Sequence, residues 1–198
     1  MNQRASKNRR PFFIVLGLFF APLLVAFAVY YGSAWRPSGT TNKGELITPA
    51  IPLPVVALTK ADGASTDSSF LRDTWSLLYL ADGDCTETCR SALFAANQAY
   101  QLLGKDMTRV SRVFLYSGEV SSTLISNDPS LVAAHIDDAA GQSLLQVFPT
   151  THEKALLQAG YLYIVDPLGN LMMRYVPGVD PRDIYQDMKK LLNLSHIG

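Results

Sequence analysis

The stretch "YLADGDCTETCRSALFAANQAY", Tyr79–Tyr100, decides the reading of this chain. It holds both cysteines, Cys85 and Cys89, between an apolar run and a segment of helical periodicity. Upstream, "TWSLLYLA" (Thr74–Ala81) is apolar and of strand length. Downstream, Leu93, Ala96, Tyr100 and Leu103 recur at spacings of three and four, which predicts an amphipathic helix over 88–104 with Gly104 as its stop. The cysteines therefore fall in a strand-to-helix turn. Such turns lie at the carboxyl edge of a sheet, where α/β proteins open their binding crevices. A helix N-terminus also stabilises a thiolate and lowers its pKa below ~8.5. Four residues apart, the two sulfurs share a face. Together they can ligate a soft ion such as Cu(I), or close a disulfide if their Cα atoms lie within ~7 Å. So short a ring adds little stability, which favours chemistry over a local staple.

Working outward, the pattern alternates. "RVSRVFLYSG" (Arg109–Gly118) reads as a strand. "NDPSLVAAHID" offers a turn at Asn127–Pro129 and a strand from Leu131 to Ile136, and "DAAGQSLLQVF" a helix ending before Pro149. "GYLYIVD" and "LMMRYVPG" flank a turn at Pro167–Asn170 and form a hairpin. "DPRDIYQDMKKLLNL" closes the chain as a helix, with Asp180 as N-cap, Pro181 in the first turn and Lys189 and Lys190 toward its C-terminus. Alternating β and α units predict a sheet with a parallel part and helices on its faces, and the late hairpin makes that sheet mixed.

The N-terminus has a different character. "MNQRASKNRR" carries Arg4, Lys7, Arg9 and Arg10 and no acid, and Pro11–Tyr31 follows with 21 uncharged residues. At 1.5 Å per residue, this run spans the ~30 Å hydrocarbon core of a bilayer. Tyr30, Tyr31 and Trp35 stand where interfacial aromatics belong, and the basic flank predicts a cytoplasmic N-terminus with the remainder exported. A cleaved leader is the alternative, since Ala26-Phe27-Ala28 fits a cleavage pattern, but the run exceeds the ~7–15 apolar residues of an ordinary signal peptide. The organisation expected is a basic tail (1–10), a transmembrane helix (11–31), a Pro/Gly-containing linker (32–69) and one exported domain (70–198). Within the linker, "PVVALTKADG" offers a short edge strand or hairpin arm. Beyond the first ten residues, 13 basic groups face 17 acidic ones, a net charge of −4. No basic patch follows the anchor, which argues against nucleic-acid binding.

The C-x3-C after the strand "WSLLYLA", together with "YLYIVDPLGNLMMRYVPGVDPRDIYQDMKKLL", resembles the SCO/SenC proteins, membrane-anchored thioredoxin-like factors in cytochrome c oxidase assembly. The resemblance covers most of 70–192. It implies a thioredoxin-like mixed sheet flanked by helices, preceded by one N-terminal transmembrane helix. It further implies a bacterial inner-membrane location with the domain in the periplasm, and a membrane-embedded oxidase subunit or another assembly factor as partner. In that family two cysteines and a distant histidine bind copper, so it implies Cys85 and Cys89 as Cu(I) ligands. The family histidine falls about eight residues before the Asp of the DP-x-G turn, and here that position is Gln158. His152, in "FPTTHEKALLQ", is the substitute third ligand, ahead of His135 in a strand and His196 near the C-terminus. The family's proline beside the C-x3-C is also absent, since Thr86, Glu87, Thr88 and Arg90 surround the cysteines.

Asp82, Asp84 and Glu87 oppose the helix N-terminus by raising thiol pKa values; Asp84 or Thr86 also serves as a helix cap. Three functions remain open: an oxidase assembly factor acting through Cu(I) handling or thiol reduction at Cys85 and Cys89, a general exported thiol–disulfide oxidoreductase, and a non-catalytic binding module on a thioredoxin scaffold. The tether favours the first, because a partner in the same membrane gains from effective concentration.

Overall fold

The computed structural model describes residues 9–32, 41–67, 69–83, 85–149 and 153–195. The chain divides into two compact units, Met1–Thr41 and Asn42–Gly198. The first contains α1, Arg10–Gly32, 23 residues long, with no buried residue and Pro22 inside it. It is the one helix among the described residues long and apolar enough to cross a membrane.

Among the described residues, the second unit is built on six strands and five further α-helices. In chain order these are β1 (Glu45–Pro52), β2 (Trp75–Asp82), α2 (Glu87–Leu102), β3 (Val110–Ser117), α3 (Ser122–Ser126), β4 (Leu131–His135), α4 (Ala139–Leu145), α5 (Glu153–Gln158), β5 (Leu162–Val165), β6 (Asn170–Tyr175) and α6 (Pro181–Leu194). They assemble in the order β1-β6-β5-β2-β3-β4. β2, β3 and β4 run parallel; β5 lies antiparallel to β2, and β6 and β1 continue the antiparallel side. This is the mixed sheet the alternating pattern predicts. Its central strand, β2, is buried over seven of its eight residues because both faces are covered.

Alternation along β2 sorts its side chains between two cores. Trp75, Leu77, Tyr79 and Ala81 join one core with Ala92, Ala95, Ala96 and Ala99 of α2 and Ile184, Met188 and Leu192 of α6. Leu78 and Leu80 join the other, with Leu144 and Leu145 of α4 and Leu156 and Leu157 of α5. The buried face of α2 differs from the expected one. Leu93 and Tyr100 are half-buried at its margin, and the alanines are buried. Alanine lets the helix axis approach the sheet closely, and helical periodicity alone does not separate a small-residue seam from a flanking one.

The segment expected to be linker is not all tether. Glu45–Pro52 forms β1 and pairs with β6, and Leu53 and Leu58 are buried in the core. The arm in "PVVALTKADG" lies along the outer edge of β4, where Lys60 bridges Ala134 and the Ala61 N–H donates to the Ala133 carbonyl. Prolines at 49, 52 and 54 disfavour a helix, and an edge strand accommodates them because it has a non-bonded side.

Asp187 fixes the start of this segment. Its carboxylate is fully buried on α6 and accepts from the Lys43 and Gly44 N–H groups and from the Tyr175 hydroxyl. Asp187→Asn keeps the shape but removes the charge from three donors and from Lys190, 3.7 Å away. The expected cost is about 1–2 kcal/mol. It should be read as a lower thermal midpoint together with faster hydrogen exchange at Lys43 and Gly44.

Candidate functional site

The motif turn leaves β2 through Gly83, where a Cβ would press on the carbonyl oxygens of Glu119 and Ser117. Only glycine fits this close approach, which draws the end of β2 against the turn after β3. The chain then enters α2, with Thr86 at the N-cap position in extended geometry and no cap bond from its hydroxyl. Cys85 and Cys89 are joined in a disulfide, with Cα atoms 5.1 Å apart. The two sulfurs differ in access: Cys85 is half-exposed, whereas Cys89 is 2 % exposed and packs in the α2 core. Arg90 braces the turn. Its Nη1 donates to the Cys85 carbonyl at 2.9 Å, and its Nη2 donates to Glu87 Oε2 at 3.0 Å.

Each cysteine borders a different cleft. One, of about 440 Å³, is bordered by Cys85, Arg90 and the Ser121–Asn127 turn. The other, of about 310 Å³, is bordered by Cys89, Tyr79, Asp82, Thr88, Gln158 and Gly160. Thr86 lines both. Gly160 has φ +68, and a Cβ there would sit 2.9 Å from Thr88 Cγ2 and 3.1 Å from Pro177 Cγ, so a side chain would close the second cleft. Tyr79 is 2 % exposed, and burial pushes its phenol up to about 12, so it remains an O–H donor.

The family model described as "Transmembrane-like, thioredoxin-like, C-terminal domain" matches residues 75–195, from the start of β2 to the end of α6. The chain belongs to this family. Solved structures agree on the thioredoxin-like fold. The apo Sco1 protein of Thermus thermophilus is 20 % identical with a TM-score of 0.62, covering 78 % of this chain and 99 % of its own. Copper-bound ScoI of Bradyrhizobium japonicum is 18 % identical with a TM-score of 0.56, covering 70 % and 98 %. The thioredoxin domain of a thiol-disulfide oxidoreductase from Bacteroides vulgatus is 16 % identical with a TM-score of 0.55, covering 75 % and 100 %. No curated protein matches the chain. The likeness to SCO proteins drawn from the motifs thus recurs in three dimensions at the level of the fold. Together with α1, the family supports a single-pass membrane protein.

In this thioredoxin-like domain the expected site residues separate. Cys85 and Cys89 come together. Gln158, where the family histidine is expected, lines the cleft beside Cys89. His152, His196 and Asp84 lie outside the described residues. His135 ends β4 and borders a different cleft with Tyr116 and Glu119; its Nδ1 is 3.7 Å from Asp137 Oδ2. Met173 is buried and Met172 half-buried, as alternation along β6 dictates. Among the described residues, no three His, Cys, Asp or Glu side chains converge on a metal position. Tyr79 and Gly160 carry no signal in the residue pattern that marks them as site residues. Tyr79 looks like one more apolar strand residue, and its role depends on which end of β2 the cleft opens.

Proposed function

We propose that this chain is a membrane-tethered thiol–disulfide exchange factor, its domain in the periplasm and its N-terminus in the cytoplasm, acting on the cysteines of an oxidase subunit or of another assembly factor. One observation carries the reading: the pair is asymmetric, with Cys85 reachable and Cys89 sheltered at the first turn of α2. In the working direction the reduced Cys85 thiolate attacks a partner disulfide sulfur and expels the partner's other sulfur as thiolate. Cys89 then attacks Cys85 Sγ, releases the partner's second thiolate and leaves the Cys85–Cys89 disulfide. The amides of the first turn of α2, which Thr86 does not cap, stabilise the negative charge on Cys89 during resolution. Orientation follows from the basic flank of α1, and the oxidase partner follows from the SCO/SenC resemblance.

A second reading, Cu(I) as cargo held by both thiolates, is favoured by structural neighbours that carry copper. Titration of the reduced full-length chain in detergent with Cu(I) against a competing chelator decides between them. Exchange without copper retention supports the first reading. Tight binding lost in Cys85→Ser and Cys89→Ser supports the second, and its further loss in His152→Ala would identify the third donor. Gln158→His supplies an imidazole beside Cys89 and is expected to tighten Cu(I) binding by about tenfold or more, roughly 1.4 kcal/mol. An unchanged affinity would mean that residue 158 does not face the sulfurs.

A further inference from the structure

The exchange reading leaves the disulfide to be reduced again, and the two clefts are chemically unlike. The Cys89 cleft combines hydrogen-bond donors with one acid. The Tyr79 hydroxyl, on a side chain almost wholly buried, makes no hydrogen bond to the protein among the described residues and borders this cleft. Thr88 and Gln158 line the same space, and Asp82 is exposed at its margin. Gly160 keeps the wall open where any side chain would fill it. Opening on the cleft, the Tyr79 hydroxyl is free to donate to a bound molecule. Donors at one end and a carboxylate at the other suit a zwitterion, whose carboxylate meets Tyr79 and Thr88 and whose ammonium meets Asp82. A cleft of about 310 Å³ has room for a small molecule.

We propose that the Cys89 cleft binds a small zwitterionic thiol, cysteine or a short cysteinyl peptide, that reduces the disulfide from the side opposite the protein partner. This rests on the exchange reading above. The thiolate of the bound molecule attacks Cys89 Sγ, the Cys85–Cys89 bond breaks, and Cys85 leaves as thiolate, accepting the proton the thiol gave up. A second small thiol attacks the outer sulfur of the mixed disulfide; the low-molecular-weight disulfide departs and Cys89 is left reduced. Two thiols are oxidised for one disulfide reduced. The order has a functional consequence, because attack at the sheltered sulfur frees the half-exposed one, which faces the partner.

The test uses the oxidised full-length chain in detergent with three probes at equal thiolate concentration: L-cysteine, cysteamine, which lacks the carboxylate, and 3-mercaptopropionate, which lacks the ammonium. Acid quenching, maleimide capping and fragmentation of the Cys85–Cys89 peptide locate the first adduct. The expected result is adduct on Cys89 and maleimide on Cys85, with cysteine reacting about tenfold faster than cysteamine, the scale of one charge-assisted hydrogen bond. Tyr79→Phe should reduce that ratio toward one, and Gln158→Trp, which fills the cleft, should remove most of the Cys89 adduct. Thermal midpoints of both variants confirm folding. Adduct confined to Cys85, equal rates for all three probes, or a Cys89 adduct unaffected by both variants overturns the small-thiol site and leaves exchange intact. Absence of reaction at either sulfur overturns the exchange reading together with this one.

Discussion

Reduced Cys89→Ser should accumulate a stable one-to-one mixed disulfide with insulin as a bulky disulfide probe, whereas Cys85→Ser should fall to the uncatalysed level. Cys85 is half-exposed at the mouth of the turn, and Cys89 packs against the alanine face of α2 with 2 % of its surface exposed. Only Cys85 can reach a sulfur on a folded partner. Once the mixed disulfide forms, its release depends on a second thiolate in line with Cys85 Sγ, and Cys89 is the one cysteine available. Serine preserves volume at position 89, so the domain stays folded while resolution stops. Serine at position 85 removes the attacking atom itself. Adduct yield on non-reducing gels reads the difference, which should exceed tenfold between the two variants. Equal yields would show that both sulfurs are equally reachable, and the asymmetric pair would no longer account for function.

The same asymmetry shows what residue patterns can and cannot carry. The strand-to-helix placement of the cysteines followed from local periodicity, because a run such as "WSLLYLA" and a three-four spacing are both short-range signals. The mixed sheet followed from element order, since parallel strands need crossovers and the late hairpin does not. What periodicity could not give was which sulfur is sheltered. That depends on the rotation of α2 against β2, and the rotation is set by Ala92, Ala95, Ala96 and Ala99 rather than by the larger Leu93 and Tyr100. The strand β1 was illegible for a related reason. Its pairing partner, β6, lies more than a hundred residues away, and its proline content resembles a tether. The cleft beside Cys89 is assembled from β2, α2 and the end of α5, so no single stretch of sequence shows it. Gln158 is the exception. The SCO/SenC resemblance implies that position 158 lies near the cysteines, and Gln158 lines the cleft beside Cys89, at the end of α5 just before β5.

The largest stability loss is expected at Asp128. Arg112 lies in β3 with its side chain 2 % exposed, an unusual place for a guanidinium. It is held by Asp128 through both oxygens and by the Ser130 hydroxyl, with the Tyr100 ring 5.0 Å from the guanidinium carbon. Asp128→Asn leaves that buried cation without its counter-charge, at an expected cost of about 3 kcal/mol. For a domain of this size, the thermal midpoint should fall by roughly 6–12 °C. The hydrogen bond from Arg112 holds the Asp128 carboxyl below the usual carboxylate range. A group depressed in the folded state contributes its stability above the unfolded pKa of ~3.9 and loses it as pH falls through the lower folded value. The gap between wild type and Asp128→Asn should therefore be full at neutral pH and close as the solution is acidified below about pH 4. Urea unfolding across that range measures it. Replacing both partners, as Arg112→Met with Asp128→Leu, should recover most of the loss, because an apolar pair needs no charge compensation. A double variant no more stable than Asp128→Asn would show that the cost comes from the Asn127–Ser130 turn and not from the buried cation.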